Sequence, residues 1–109
     1  MGADVGVLDG SECYCNAVFR DVNGVAYTPT SLSYQIDDLT NSVNVVPMTA
    51  YTGTLASTLS ITITSTQNAM NPASKLRERR QVLLKIGVPG GTFRYDRASY
   101  VLMRAVGTP

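Results

Sequence analysis

The sequence contains no histidine and no tryptophan, and it has only two cysteines and two phenylalanines. Without histidine the chain lacks the side chain that titrates nearest neutral pH, so catalysis would need a perturbed carboxylate, lysine or cysteine. No such residue has an obvious perturbing neighbour in the sequence, which argues against an enzyme. We therefore predict a non-enzymatic protein with no catalytic residues, no metal and no cofactor.

Charged residues are also scarce, at 16% of the 109 residues against 44% hydrophobic residues, and the formal net charge is +1. A net charge this small gives no general attraction to nucleic acid or to anionic lipid. The hydrophobic share is too high for a disordered chain, and the low charge favours a surface that a partner covers. The length suits one domain with a single core.

Long apolar runs are missing as well, so we expect no membrane span. The opening "MGADVGVLDG" lacks the basic start and apolar run of a signal peptide, and position six is Gly6 instead of the Ser or Thr of a myristoylation motif. We therefore expect the chain to be made and kept in a cytoplasm. Residues 1–10 are rich in glycine and show little alternation, so they predict a flexible arm before a domain at 11–109. Removing this arm is expected to leave the domain folded.

The sequence contains two close pairs of residues that could bind a metal ion, a pair of cysteines and a pair of aspartates. The geometry expected for each pair argues against a metal site. Cys13 and Cys15 would leave the same face of a strand about 6.5 to 7 Å apart along the chain, which suits a disulfide poorly. We predict both thiols reduced and buried, with a soft-metal site or a redox pair as the alternatives. The adjacent Asp37 and Asp38 would point to opposite faces of a strand, so we predict that they cap a turn.

Alternation of apolar and polar residues predicts a series of short strands. In "STLSITIT", Leu59, Ile61 and Ile63 alternate with hydroxyl side chains, which leaves an outer face that tolerates water or packs flat against another surface. Similar patterns occur in "ECYCNAVFRD", "LSYQID", "QVLLKIGV" and "FRYDRASYVLMRAV". The segment "VNVVPM" predicts a short strand that Pro47 ends or moves to an edge. In the last strand, "DRAS" interrupts the pattern and predicts a bulge or bend.

Turn residues separate these strands. Asn23 and Gly24 form the dipeptide best suited to a tight hairpin turn with two positive φ angles, and "PGG" at Pro89–Gly91 predicts another hairpin turn. Pro29 cannot donate to a strand ladder, so it predicts an edge or a crossing between sheets. Residues 72–79 are predicted as a loop, with one or two helical turns as the alternative.

These strands and turn spacings predict an all-β fold of about seven strands with little helix. Turn signals about ten residues apart favour an antiparallel two-sheet immunoglobulin-like sandwich over a barrel or a meander. The tryptophan of immunoglobulin domains is missing, and both cysteines fall in one strand, so the predicted core depends on aliphatic packing.

The order of these features resembles the small immunoglobulin-like or fibronectin-like virion proteins of tailed bacteriophages and prophages. The resemblance is carried by "FRDVNGVAYTPTSLSYQIDDLTNSVNVV", then "STLSITIT" and "RRQVLLKI", and covers about Phe19 to Ile86. It implies a structural protein of the virion, assembled in the bacterial host cytoplasm, that decorates or cements the head or forms part of the neck or tail. The implied partners are the major capsid protein or neck and tail proteins, with copies of itself as a further partner.

The segment "KLRERR" is one candidate for partner binding. Arginine suits contact with an acidic neighbouring subunit because its planar fork can bind a carboxylate with two hydrogen bonds. The alternatives are a solvated link between sheets and a nucleic-acid site, which would need interleaved aromatic residues or a longer basic stripe. The candidate residues are Lys75, Arg77, Arg79 and Arg80.

Six tyrosines against two phenylalanines also favour contact surfaces, because a tyrosine can bury its ring while its hydroxyl reaches water or a partner. We predict Tyr34 and Tyr100 in the core. A carbohydrate-binding or adhesion module is a further alternative, although the lack of tryptophan argues against it. The tyrosines predicted at contact surfaces are Tyr14, Tyr27, Tyr51 and Tyr95.

Overall fold

The computed structural model describes residues 5–74 and 76–103, which form an all-β structure without a helix. A five-stranded sheet packs against a two-stranded sheet, so the predicted sandwich of about seven strands is confirmed. The strands are β1 (Val5–Leu8), β2 (Cys13–Val18), β3 (Ser31–Asp38), β4 (Val43–Ala50), β5 (Thr58–Ile63), β6 (Arg77–Val88) and β7 (Thr92–Met103).

The strand order is β1-β7-β6-β3-β4 in the larger sheet and β2-β5 in the smaller one. The run β7-β6-β3-β4 follows the G-F-C-C′ order of a variable-type immunoglobulin sheet, and β2 and β5 take the places of its B and E strands. The pairings are antiparallel except that of β1 with β7, which is parallel. With two strands, the smaller sheet covers only part of the larger one.

Burial with a period of two builds the core between the sheets. In β5, Leu59, Ile61 and Ile63 are buried while the intervening residues are exposed, as predicted. They lie opposite Ala17, Cys15 and Cys13 of β2 in an unbroken antiparallel register. The buried hydrophobic residues are Val7, Ala17, Phe19, Leu32, Ile36, Leu59, Ile61, Ile63, Met70, Val82, Leu84, Ile86, Tyr100 and Leu102.

The chain reverses after β2 as predicted, but by a different turn. Of these two residues only Gly24 has a positive φ, of 80°, so the expected pair of positive angles at Asn23 and Gly24 is wrong. The Asp21 carboxylate accepts hydrogen bonds from the backbone N–H groups of Asn23 and Val25, at 2.9 and 3.0 Å. This side chain supplies the turn geometry that the dipeptide alone would otherwise have to provide.

Both prolines singled out by the sequence mark interruptions of the sheets. Pro29 is buried in the segment that crosses from β2 in one sheet to β3 in the other. Pro47 lies in β4, the edge strand of the larger sheet, where the register with β3 shifts on both sides of Ile36. Both positions agree with the prediction from their missing N–H groups.

The predicted arm at residues 1–10 is wrong for Val5–Leu8, which form β1 against Tyr100–Met103 of β7. The turn that follows is also held, because the Asp9 carboxylate accepts a hydrogen bond from the backbone N–H of Met70 at 2.8 Å. The alternation signal was weak because β1 has only four residues and includes Gly6. Residues 1–4 lie outside the described part of the chain.

The β6-β7 hairpin is longer and more regular than predicted. β6 begins at Arg77, so the predicted loop is wrong for residues 77–79, and the alternative of helical turns over 72–79 is wrong too. β7 pairs with β6 over its whole length without a register shift, so the bulge predicted at "DRAS" is wrong as well. The turn at Pro89–Gly91 is confirmed, with Gly90 and Gly91 at positive φ.

The two adjacent aspartates point to opposite faces of β3, as predicted, and only one caps a turn. The Asp38 carboxylate accepts hydrogen bonds from the backbone and side-chain nitrogens of Asn41, at 3.0 and 2.7 Å. Asp37 instead accepts hydrogen bonds from the side chains of Gln35 and Asn44. Turn capping is therefore confirmed for Asp38 and wrong for Asp37.

Candidate protein-binding surface

The "KLRERR" segment is split by the pleat of β6. Arg77 and Arg79 are exposed on one face, whereas Arg80 is 1% exposed and lies in the interior. The prediction of Arg80 as a surface contact is therefore wrong, and so is the alternative of a solvated link for residues 77–80. Lys75 lies outside the described residues. Two exposed arginines remain of the predicted basic cluster.

Arg80 is buried together with the carboxylate that neutralises it. Its Nε donates to Glu78 Oε2 at 2.6 Å, and Glu78 is 0% exposed. The other guanidinium nitrogens donate to the backbone carbonyls of Gln67 and Ala69, the latter at 2.8 Å. A buried charge requires such pairing and hydrogen bonding because it has lost its hydration.

The same ion pair holds the link between β5 and β6. Glu78 Oε1 accepts hydrogen bonds from the backbone N–H of Asn71 at 2.7 Å and from the Ser74 hydroxyl at 2.8 Å. With the two carbonyls bound by Arg80, residues 67–74 are tied to the interior of the sandwich at several points. The basic cluster is thus partly a structural device of the fold.

A second buried polar contact joins this link to β7. Tyr100 Oη donates to Asn68 Oδ1 at 2.8 Å, and the Asn68 amide donates to the carbonyl of Ser11 at 2.7 Å. Burial raises the pKa of Tyr100 from 10.0 to about 12, against the opposing effect of Arg80. The predicted core position of Tyr100 is confirmed, while Tyr34 is half-buried against the core.

This pKa difference predicts a loss of stability at high pH. Between pH 10 and 12 the unfolded chain releases a phenolic proton that folded Tyr100 keeps, so the free energy of unfolding should fall as pH rises. Urea unfolding across this range should show a shallower fall for Tyr100→Phe than for the unmodified chain. If the free energy of unfolding falls equally with pH in the variant and in the unmodified chain, the raised pKa of folded Tyr100 is contradicted, whatever the absolute stability of the variant.

The four tyrosines predicted at contact surfaces have different surroundings. Tyr14 is 60% exposed, and its hydroxyl donates to Glu12 at 2.6 Å, a bond that raises its pKa. Tyr27 is half-buried, with its ring centroid 6.1 Å from that of Phe19, and Tyr51 is also half-buried against the core. Tyr95 is 59% exposed. Tyr14 and Tyr95 are therefore the two that offer most of their surface.

Because the smaller sheet is narrow, a cleft opens between β2 and β7. It has a volume of about 270 Å³ and is lined in part by Cys13, Cys15, Val82 and Ala98. Both cysteines are free and half-buried, and burial raises the pKa of the Cys15 thiol. Within residues 5–74 and 76–103, no group of three or more His, Cys, Asp or Glu residues is placed to hold a metal ion.

The strand on the other side of this cleft, β7, contains the most exposed part of the larger sheet. Residues 92–98 of β7 are exposed on both faces, and β1 pairs only with Tyr100–Met103. Phe93 and Tyr95 are 55% and 59% exposed, and Lys85 Nζ lies 4.5 Å from the Phe93 ring centroid. Residues 93–97, which we call the β7 edge, thus combine two aromatic side chains with a sheet edge that no described strand covers.

The opposite edge of the larger sheet differs from the β7 edge. Pro47 and the register shifts in β4 both disfavour pairing with a further strand. The β7 edge has neither device, because its register with β6 is unbroken and it contains no proline. A regular, exposed edge without a proline or a bulge is the feature of a sheet that most readily pairs with another chain.

Comparison of the chain with protein-family models, with curated proteins and with solved structures finds no match. The described residues contain no helix that could cross a membrane.

One member of the β7 edge, Tyr95, was predicted at a contact surface. The other four, Phe93, Arg94, Asp96 and Arg97, were not. Asp96 and Arg97 belong to the "DRAS" segment that was interpreted as an interruption. The available signal was the run of alternating aromatic and charged residues from Phe93 to Asp96, which is consistent with a strand exposed on both faces.

Proposed function

We propose that this chain is a non-enzymatic structural protein that binds other proteins through the β7 edge. The observation that carries the proposal is a bulge-free sheet edge with Phe93 and Tyr95 exposed beside it. Strand addition at such an edge supplies main-chain hydrogen bonds, and aromatic side chains are enriched at protein interfaces. The β7 edge also includes the exposed Arg94 and Arg97, which suit an acidic partner.

The virion is the setting that the sequence resemblance supports for such a module. In this proposal the chain is made in the bacterial host cytoplasm and becomes part of a tailed bacteriophage particle. There it decorates or cements the capsid by contact with the major capsid protein. A place in the neck or tail is the alternative position. The narrow sandwich and its uncovered edge are compatible with both positions, since each requires lateral contact with neighbouring subunits.

Particle incorporation tests this function. Particles purified from cells that produce the tagged chain should contain it, and Phe93→Ser with Tyr95→Ser should reduce the incorporated amount by about tenfold or more, because buried aromatic residues carry much of the binding energy of interfaces. Met48→Ser is a matched control, since Met48 is an exposed hydrophobic residue on the opposite edge. Absence of the unmodified chain from particles would contradict the virion assignment, and equal incorporation of both variants would contradict the role of the edge.

Carbohydrate binding is a second candidate function, because Phe93 and Tyr95 lie side by side on one face and could form an aromatic platform. A glycan-binding screen with the purified chain separates the two functions. Glycan binding that is lost in Phe93→Ser, with unchanged particle incorporation, would favour the second candidate. The expected result is no binding above background.

A further inference from the structure

The hydrogen bonds around the larger sheet show which backbone groups of β7 face its free edge. The Gly87 carbonyl accepts from the N–H of Thr30 on the β3 side, at 2.8 Å. Because backbone groups alternate in direction along a strand, odd-numbered residues of β6 face β3 and even-numbered residues face β7. The unbroken register that places Gly87 opposite Phe93 then directs the N–H and C=O of odd-numbered β7 residues away from β6.

The contact with β1 agrees with this parity. The Met103 carbonyl, also on an odd-numbered residue, accepts from the N–H of Asp9 at 2.8 Å. Phe93, Tyr95 and Arg97 therefore present their backbone groups along an edge where no described strand lies. A strand that pairs there would exchange both backbone hydrogen bonds with each of these three residues.

The side chains of the β7 edge are complementary to themselves. Tyr95 lies on the outer face of the sheet, and Phe93 and Arg97 lie on either side of it on that face. Arg94 and Asp96, its neighbours in the sequence, lie on the inner face. An antiparallel copy with Tyr95 opposite Tyr95 would place each Arg94 opposite an Asp96 and each Phe93 opposite an Arg97. Opposite charges and aromatic pairs are stabilising in such cross-strand positions, and arginine also binds aromatic faces.

We propose that two copies of this chain associate by antiparallel pairing of their β7 edges about a two-fold axis at Tyr95. The arrangement is isologous, so the same residues serve on both sides of the interface. It joins the two five-stranded sheets into one continuous sheet. This proposal identifies a second copy of the chain as the partner of the β7 edge. It therefore rests on the proposed function, in which the β7 edge binds a protein.

The charges select this register from its neighbours. Moving the axis to Arg94 places that residue opposite itself, and moving it to Asp96 places two carboxylates opposite each other. Like charges in directly opposite positions are destabilising. The Asp96 carboxylate has no hydrogen-bond or ion-pair partner within the described chain, and the Arg94 guanidinium uses one nitrogen to donate to the carbonyl of Arg20 at 3.1 Å. Both side chains are exposed and can reach a second copy.

The length of the free edge limits the strength of this association. Pairing stops before Tyr100, where β1 begins, so the buried area should be smaller than the roughly 1,600 Å² of a standard interface. We expect a reversible dimer whose population depends on protein concentration. Such weak lateral contacts suit a subunit that is concentrated on the surface of a larger assembly.

Charge exchange between two variants tests the proposal. Arg94→Asp and Asp96→Arg should each weaken self-association by about tenfold or more, because each variant places like charges opposite each other. An equimolar mixture should form a heterodimer with near-original affinity, since one chain then carries two carboxylates and the other two guanidinium groups. Sedimentation equilibrium measures both results, and circular dichroism establishes that the variants are folded.

Amide exchange gives the register residue by residue. The N–H groups of Phe93, Tyr95 and Arg97 should become protected as concentration rises, whereas those of Arg94 and Asp96 are bonded to β6 and should be protected at every concentration. A monomer up to about 1 mM, where even millimolar affinity gives substantial dimer, would overturn the proposal. So would concentration-independent protection of the three odd-numbered amides, which would show that the edge is covered from within the chain.

The outcomes separate this inference from the proposed function. If the purified chain stays monomeric while the Phe93 and Tyr95 variants still lose particle incorporation, the edge binds a different protein and self-pairing is wrong. If the chain dimerises as described but never enters particles, self-pairing is supported and the virion function fails.

Discussion

Replacement of Arg80 by methionine is expected to lower the free energy of unfolding by about 3 to 5 kcal/mol, because it leaves the Glu78 carboxylate buried without its counter-charge. Glu78 is fully buried and lies 2.6 Å from the guanidinium that the variant removes. The carbonyls of Gln67 and Ala69 would also lose their donor. Urea unfolding followed by circular dichroism measures the change.

Arg79→Met is the matched control, because Arg79 is the exposed neighbour on the same strand. Its effect should stay within about 0.5 kcal/mol, as for most surface substitutions. The double variant Arg80→Met with Glu78→Leu should recover part of the loss, since Glu78 no longer leaves a buried carboxylate without its counter-charge, although the buried Asp38 carboxylate remains. Full recovery is not expected, because the N–H of Asn71 and the hydroxyl of Ser74 lose their acceptor. Equal effects of Arg79→Met and Arg80→Met would contradict this account.

The buried ion pair shows why the "KLRERR" segment was misinterpreted. Glu78 and Arg80 are in phase with Val82, Leu84 and Ile86, so the period-two pattern of β6 directs them inward. Charged residues are rarely fully buried, so Arg80 was predicted at the surface even though the period-two pattern directs it inward. The acceptors that make burial possible come from residues 67–74, whose position against β6 is a tertiary contact that strand periodicity does not contain.

The strands with clear alternation were predicted well because their burial is decided locally. In β5 and in the second half of β6, apolar residues at every second position specify the inner face without reference to a partner. The turn at Gly24 was located correctly, and its geometry was wrong because the Asp21 carboxylate changed the turn type. β1 was missed because four residues carry little periodicity and its partner strand lies at the other end of the sequence.

The candidate surface was predicted only in part for a related reason. The exposure of Tyr95 follows from its polar neighbours, but the free edge depends on the strand order β1-β7-β6 and on the shortness of β1. A role for Arg94 and Asp96 in charge pairing can be inferred only when their position on the inner face, beside an uncovered edge, is known. Neither fact is contained in the residues of β7 themselves.

Deletion of residues 1–10 is expected to destabilise the domain by at least about 3 kcal/mol, instead of leaving it intact as the sequence predicted. The deletion removes the buried Val7 side chain and the parallel ladder that β1 forms with β7. It also removes the Asp9 carboxylate that accepts the N–H of Met70, and the N–H of Gly10 that donates to the carbonyl of Asn68 at 2.9 Å. Thermal and urea unfolding of the truncated chain measure the loss.

Two point variants test how much of this loss of stability comes from the buried Val7 side chain. Val7→Ala should lower the free energy of unfolding by about 1 to 2 kcal/mol, the value of the two carbon atoms it removes from the core. Leu8→Ser is the neighbouring control and should have little effect, because Leu8 is 50% exposed on the other face of β1. A truncated chain as stable as the full one would show that β1 adds nothing to the sandwich. In that case the free edge would extend to Met103, and the register that places Tyr95 on the two-fold axis would have to compete with pairings centred further along β7.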